Sequence, residues 1–417
     1  MANKVKRVEL HAHSLGSIDG ACSVQKMISI AKQCNVEYLA ISDHNTFSEC
    51  VKLWRQHGFS LDQPVIEVDG VKIISATEVT CRVGTIRNLS GNTAKLHVLI
   101  YGADMSPGSP ISQLLELKRK NDLDCDIGML RDLLHSRGHY EISEDNIRVF
   151  IRSRRETIPG FSSLGKKDVF DFLKLHKITI ASSYKELCKL ISKLPTYDRM
   201  NIDFDDLVKV ARASGGEIVV AHIGDNIDRL NNVNKKILAD YLVHRVDGFE
   251  KYYLHASDAV WNIIKNAIVS NGQKKNIYIT GGSDFHDCSH GEVLGAVHGK
   301  ELRSDTFNNF LKNIECLVEA RHGGQISHRD VNISQTEIES IIKKYRDEYN
   351  SIMINSSVDL THYQVLEKKK QKTRKPVKKS RTEQDVATMQ RAKEEWDSYR
   401  SKKSSKTPSG KDDNHSM

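Results

Sequence analysis

Two pairs of residues spaced by one position, His11-Ala-His13 and Asp284-Phe-His286, carry the first chemical signal. Side chains of an extended strand alternate with period two, so each pair faces one side and can reach a single ion at ~2 Å. Five further donors follow the same logic: Asp19, His44 in Ser42-Asp43-His44, Glu78, His97 and His222. These six imidazoles and three carboxylates offer only nitrogen and oxygen. Such a mixture suits Zn, Mn or Fe better than Ca, Mg alone or an iron–sulfur cluster. A polynuclear metal site is therefore expected, against the alternative of satisfied core and surface histidines.

The segments that must position these donors are short and apolar. Val8–Leu10 runs into His11, Tyr38–Ile41 into Ser42-Asp43-His44, and Val71–Ala76 into Thr77-Glu78. Leu96–Tyr101 carries His97 within it, Ile218–Ala221 runs into His222, and Ile277–Gly282 runs into Ser283-Asp284. Aliphatic and β-branched runs of this length read as buried parallel strands. Between many of them lie helical patterns. Val24, Met27, Ile28 and Ala31 mark one face of Ser23–Cys34, and Asp205–Ala213, Lys236–Val246 and Ser257–Ser270 behave alike. Alternating strands and helices, with polar chemistry at many strand ends, predict an α/β chain folded as a β/α barrel; an open sheet would gather that chemistry at one switch point.

The barrel is expected in two parts, 1–105 and 205–350, the second ending in a closing helix over 335–350. Residues 106–204 break the alternation and read as a helical insertion, with helical stretches at Ile111–Lys120, Ile127–Ser136, Lys167–His176 and Tyr184–Lys193. Residues 351–417 read as a basic, largely disordered tail with a short helix at 383–400 carrying Trp396 and Tyr399.

The formal charge of +8 sits entirely in that tail, because residues 366–417 hold 16 Lys+Arg and 8 Asp+Glu. Its densest block is Lys368, Lys369, Lys370, Lys372, Arg374, Lys375, Lys378, Lys379 and Arg381, with no acid among them. Cations at this density give salt-sensitive, sequence-blind affinity for nucleic acid; a solubilising role or a protein partner are the other readings. No run approaches the roughly 18 apolar residues that cross a bilayer. The eight scattered cysteines form no Cys-x-x-Cys pair and read as reduced thiols of a cytoplasmic protein with no membrane partner.

The series His11-Ala-His13-Ser14, Asp19-Gly20, Ser42-Asp43-His44, Glu78, His97, Ala221-His222 and Ser283-Asp284-Phe285-His286 resembles the PHP (polymerase and histidinol phosphatase) superfamily, in the family's order. The resemblance spans about residues 8–300. It implies a distorted (β/α)7 barrel and a trinuclear site. His11, His13, Glu78 and Asp284 would hold the first ion, and Glu78 would bridge to a second completed by His97 and His222. Asp19, His44 and His286 would hold the third, with Asp43 beside them as a supporting or proton-shuttling group. Cations in such a site acidify water and offset charge on phosphoryl oxygens.

The resemblance thus implies a metal-dependent phosphoesterase acting on nucleic acids or nucleotides, as an exonuclease or nucleotide phosphatase. The segments around 97–104 and 211–224 are similar to the branch that cleaves nucleoside 3',5'-bisphosphates and trims strands from the 5' end. That branch's Arg-Pro-His segment is replaced near Ser163-Leu-Gly-Lys-Lys167, and His13–Ala21 is similar to the PHP module of replicative polymerase α subunits. The alternatives are a small-molecule phosphatase of the histidinol type, an amidohydrolase-type zinc enzyme, and a non-catalytic metal-stabilised nucleic-acid-binding module. Candidate phosphate contacts are Arg87, Arg119 and Arg131, since guanidinium forks suit terminal phosphates. His255 is a candidate catalytic group at the end of a strand-like run, and Tyr252 and Tyr253 are candidates for stacking a base.

Overall fold

The computed structural model describes residues 6–352 apart from 18, 158–165, 182, 192–199, 228–229, 274–276, 288–292 and 323–332. The first half of the barrel contains β1 (Arg7–Glu9), α1 (Val24–Gln33), β2 (Val36–Ile41), α2 (Ser48–Gln56), β3 (Val65–Val68), β4 (Val71–Arg87) and β5 (Thr93–Tyr101). The helices α3 (Pro110–Ser136), α4 (Glu144–Thr157), α5 (Lys166–Leu175) and α6 (Tyr184–Ile191) follow. The barrel resumes with β6 (Ile202–Asp203), α7 (Phe204–Ala213), β7 (Glu217–Val220), α8 (Ile223–Ile227), α9 (Asn232–Val243), β8 (Gly248–Tyr252), α10 (Asp258–Ser270) and β9 (Tyr278–Gly281). A small hairpin, β10 (Ala296–Val297) and β11 (Lys300–Glu301), precedes α11 (Asn308–His322), and α12 runs over 335–352.

The main strands pair in the order β1-β2-β4-β5-β7-β8-β9. The ring closes just beyond the ends of β9 and β1, where the Phe285 N–H donates to His11 O at 3.2 Å and the His13 N–H donates to Phe285 O at 2.8 Å. The result is a mixed α/β barrel with parallel pairing predominant, as the sequence pattern predicts. One strand corrects the expectation of parallel strands throughout: β5 is antiparallel to both β4 and β7. Only residues 88–92 separate β4 from β5, and a parallel crossover needs a dozen or more. Asn88 builds the tight return, its Oδ1 accepting the Ser90 and Asn92 N–H groups at 3.0 Å each while Gly91 takes φ +78°.

Period two divides the strands between two apolar layers. Leu39, Ile41, Ile73, Ile100, Ile218 and Val220 pack in one cluster with residues of α1, α2, α7, α9 and α10. Their neighbours Ala40, Ile74, Ala76, Leu99, Tyr101 and Val219 pack on the other side with Phe310, Leu311, Ile314 and Leu317 of α11. Each such large side chain contributes about 1.5–3 kcal/mol on full burial. Helix α1 buries Val24, Met27, Ile28 and Ala31, and its N-cap Ser23 accepts the Lys26 N–H.

The two stretches read separately at 111–120 and 127–136 form one 27-residue helix, α3. Its start, through Ile111, Leu114 and Leu115, belongs to the barrel core, whereas Ile127, Leu130, Leu133 and Leu134 join a separate core with α4, α5 and α6. The basic block from Lys368 to Arg381 and the helix expected at 383–400 lie outside the described residues.

Candidate metal centre

The strand ends are knitted together by their own backbone before any side chain is considered. The Asn45 N–H donates to Glu78 O at 2.8 Å, the Ala221 N–H to His97 O at 3.0 Å, and the Ala21 N–H to His286 O at 2.9 Å. Three non-glycine residues at or beside donor positions have left-handed backbones: Asn45 at φ +52°, His222 at φ +24° and Asp284 at φ +54°. Such conformations cost about 1–3 kcal/mol each and concentrate where a site needs them. Gly282 lets β9 approach β1, because a Cβ there would collide with the His11 backbone and Cβ.

All nine donors converge, in three overlapping groups: His11, His13, Glu78 and Asp284; Glu78, His97 and His222; and His13, Asp19, His44 and His286. In the first, His11 Nε2 lies 3.2 Å from Glu78 Oε2, 3.3 Å from Asp284 Oδ1 and 3.2 Å from His13 Nε2. His13 Nε2 lies 3.2 Å from Glu78 Oε2 and 3.1 Å from Asp284 Oδ1. A tetrahedron with edges of this length has its centre about 2 Å from each corner, the ligand distance of a tetrahedral transition-metal ion. Glu78 is divided between groups: Oε1 lies 2.7 Å from His97 Nδ1 and 3.0 Å from His222 Nε2. Its Oε2, besides facing His11 and His13, lies 3.2 Å from His44 Nδ1. Asp19 Oδ2 lies 3.3 Å from His44 Nε2 and 3.5 Å from His286 Nε2. His13 extends this third set beyond the Asp19, His44 and His286 implied by the resemblance.

Burial and charge are in tension throughout the cluster. Burial opposes a proton on His13, but the Asp284 and Glu78 carboxylates outweigh it and lift the imidazole to about 10. His11 rises well above its ordinary value despite burial, through Glu250, Asp284 and Glu78. Burial resists ionisation of Glu78, yet the surrounding His44 and His11 hold it well below the usual carboxylate range. Asp284 is lowered in the same way by His11 and His13, and Asp19 by His286 and His44. An ion held by these imidazoles would have to displace their protons.

Two buried glutamates that sequence reasoning missed support the cluster. Glu250 Oε1 lies 3.2 Å from His11 Nδ1, and its Oε2 accepts the His222 N–H at 2.7 Å. Glu9 accepts the His11 N–H at 3.0 Å, the Ser283 N–H at 2.9 Å and Oγ–H at 2.6 Å, and the Gly295 N–H at 3.0 Å. The available signal was an acid inside an apolar strand, which burial permits only with partners. Ser17 Oγ, 2.9 Å from His13 Nδ1, also accepts the His44 N–H. Removing the Glu250 charge (Glu250→Gln) is expected to weaken divalent-ion binding roughly 10–100-fold, the usual effect of losing a carboxylate behind a ligating imidazole. Chelator competition measures this, and an unchanged affinity would deny Glu250 that role.

The remaining sequence candidates fall in different places. Asp43 is buried behind the cluster, accepting the Ser14 N–H and Oγ–H at 2.7 Å each, and burial raises its pKa. Arg119 reaches the rim, its Nη1 donating to Thr46 Oγ1 at 3.3 Å. Arg131 is instead buried between Glu144 and Asp132, at 2.6 and 3.0 Å, because α3 and α4 need a counterion there. Arg87 is exposed at the end of β4, hydrogen-bonded to Thr93. His255 is exposed in the turn after β8, and Tyr253 stands beside the cluster, its ring edge-on to His222 with centroids 6.3 Å apart.

A family model described as the PHP domain matches residues 9–267. The chain belongs to the PHP family. It has that family's fold. Among curated relatives, DNA polymerase III subunit alpha of Borreliella burgdorferi is 30% identical over 70 residues, 16% of this chain and 6% of that protein. The PHP chain thus corresponds to a small fraction of that relative's length. A structure assigned as a metal-dependent phosphoesterase from Bifidobacterium adolescentis superposes at a TM-score of 0.51 and 18% identity, covering 74% of this chain and 96% of its own. The lesion-specific endonuclease Q of Pyrococcus furiosus is similar at a TM-score of 0.36 and 14% identity, over 75% of this chain and 56% of its own.

Proposed function

We propose that this PHP enzyme hydrolyses phosphoester bonds of nucleic acids or nucleotides, as an exonuclease or nucleotide phosphatase. His11, His13, Asp19, His44, Glu78, His97, His222, Asp284 and His286 would hold two to three divalent ions of the Zn, Mn or Fe type. The division of Glu78 between two sets of imidazoles carries this reading, since a bridging carboxylate offsets the repulsion of neighbouring cations. The donor set fits such ions in element type and spacing. When bound, they would supply Lewis-acid polarisation of phosphoryl oxygens and acidify a water.

The chain's own residues supply orientation. Glu250 holds His11, Asp43 holds the loop at Ser14, and Ser17 ties that loop to His44. Exposure supports one direction of approach: Glu78, His11 and His13 are sealed, whereas Asp19 is 43% exposed and His97 33%. A phosphate entering from solvent meets the Asp19, His44 and His97 side first, near Arg119. Among the described residues no helix is long and apolar enough to cross a membrane. We place the enzyme in the cytoplasm on its free cysteines.

The decisive experiment combines metal analysis with a substrate panel of 5'- and 3'-labelled single strands, nucleoside bisphosphates and histidinol phosphate. Two to three transition-metal ions per chain and preference for the nucleotide substrates are expected. Absence of metal without chelators, or turnover of histidinol phosphate alone, would overturn the reading. Deleting 366–417 is expected to raise KM for long strands at moderate salt, because the lost cations no longer release counterions from the substrate. Equal losses on a small chromogenic phosphoester would show instead that the segment is structural.

A further inference from the structure

A cavity of about 450 Å³ opens beside the metal centre, between the end of β8, the first turns of α10 and the β10–β11 hairpin. It borders Ile223 and Tyr253, the first following His222 in the chain and the second lying against its ring. No donor of the centre lines it. Its walls are aromatic and cationic. Lys251 Nζ lies 5.0 Å from the Tyr252 ring centroid and 5.2 Å from that of Trp261, so two rings from different elements open onto one point. Tyr252 is 38% exposed, and Phe307 packs edge-on against it with centroids 6.1 Å apart.

The hairpin delivers more cations. His298 and Gly299, at φ +49° and +71°, form the two-residue turn between the paired Val297 and Lys300, the geometry of a type I′ hairpin. This turn brings His298 and Lys300 to the cavity wall. Arg303 pairs with Asp305 at 2.6 Å, and Glu301 is engaged by Arg7. Among the described residues Lys251 and Lys300 make no ion pair, and Asp258 is the lining acid that is likewise unpaired. Half-exposed rings with unpaired ammonium groups, adjoining a phosphoester site, match the chemistry of a nucleotide's base and backbone.

We infer that this cavity is a base-stacking subsite, in which Tyr252 and Trp261 take the nucleobase of a substrate whose phosphate lies at the metal centre. The inference rests on the nucleotide reading and specifies where the base goes. The base replaces the Lys251 ammonium between the rings and releases it toward the sugar–phosphate chain, with Lys300 on the opposite wall. Volume permits this, since small-molecule sites span about 300–1,000 Å³.

Calorimetry on the metal-loaded full-length chain tests the subsite with AMP and ribose 5-phosphate as probes. Each carries a methylene phosphonate in place of its ester oxygen so that it cannot be hydrolysed, one with the base and one with a hydroxyl in its place. AMP is expected to bind roughly tenfold more tightly, within the range of stacking a single base. Trp261→Ala and Tyr252→Ala should each remove most of that difference while leaving ribose 5-phosphate affinity nearly unchanged. Trp261 also packs partly against the barrel core, so its variant is read on this affinity ratio and not on its melting temperature. Equal affinity for the two probes, or an undiminished AMP preference in both variants, overturns the subsite. A chain that binds AMP preferentially through these rings yet hydrolyses no phosphoester supports the subsite and refutes the phosphoesterase reading. Hydrolysis of nucleotides with no base preference in binding does the reverse.

Discussion

Asp284→Asn is expected to lower phosphoester hydrolysis about 10³-fold or more, the rate equivalent of roughly 4 kcal/mol. The fold should be retained. Asparagine is the informative substitution because Asp284 sits at φ +54°, a region that Asn enters with little penalty and Ala does not. The variant therefore removes charge and leaves the backbone at ease. What it removes is large: Asp284 Oδ1 is 3.1 Å from His13 Nε2 and 3.3 Å from His11 Nε2, so two imidazoles lose a shared carboxylate. Glu78→Gln should be at least as damaging, because both oxygens of Glu78 face imidazoles from several strands. Metal analysis separates the two. Asp284→Asn is expected to deplete the first ion, whereas Glu78→Gln depletes the first and second together. Full activity with a full metal complement in either variant would remove the residue from its assigned place.

The legibility of the site in the sequence has a physical basis. His11 and His13, or Asp284 and His286, announce themselves because period two makes neighbouring donors converge within one strand. The barrel brings all nine donors together, although Glu78 and His97 lie within β4 and β5 rather than at their ends. Direction is a different kind of information. The run Leu96–Tyr101 has no polarity of its own, and only the shortness of 88–92 with its Asn and Gly residues shows that β5 must return antiparallel. Supporting residues are harder still. Glu9 and Glu250 occur singly in the strands VEL and FEK, and their partners arrive from β9 and β1, far away in the chain. Arg131 shows the converse limit: a guanidinium suited to phosphate is equally suited to Glu144. Which of them it meets depends on helix packing that no local pattern specifies. The stacking cavity is illegible for the same reason, because Tyr252, Trp261 and Lys300 meet only through tertiary structure.

Asp247→Ala is expected to destabilise the barrel by about 3–5 kcal/mol without touching the metal centre, because it removes the carboxylate paired with a buried guanidinium. Arg212 on α7 is 2% exposed and donates to Asp247 Oδ1 at 2.9 Å, and Asp247 Oδ2 accepts the Ile218 N–H at 2.9 Å. One carboxylate thus neutralises the helix's charge and ties the start of β7. Its charge also has a cost. Burial, followed by the nearby Asp247, pushes the neighbouring Glu217 up to about 8. A carboxyl raised above its unfolded value of 4.5 keeps its proton in the folded chain while the unfolded chain has lost it. Its contribution to stability is complete below pH about 4.5 and is lost as pH rises toward about 8. Glu217→Gln, which cannot ionise, should therefore melt with wild type near pH 4.5 and above it at pH 9. Asp247→Ala should melt below wild type at every pH. Thermal melts across this range distinguish the two effects: an Asp247→Ala variant as stable as wild type would show that the Arg245 carbonyl and Glu217, not Asp247, compensate Arg212.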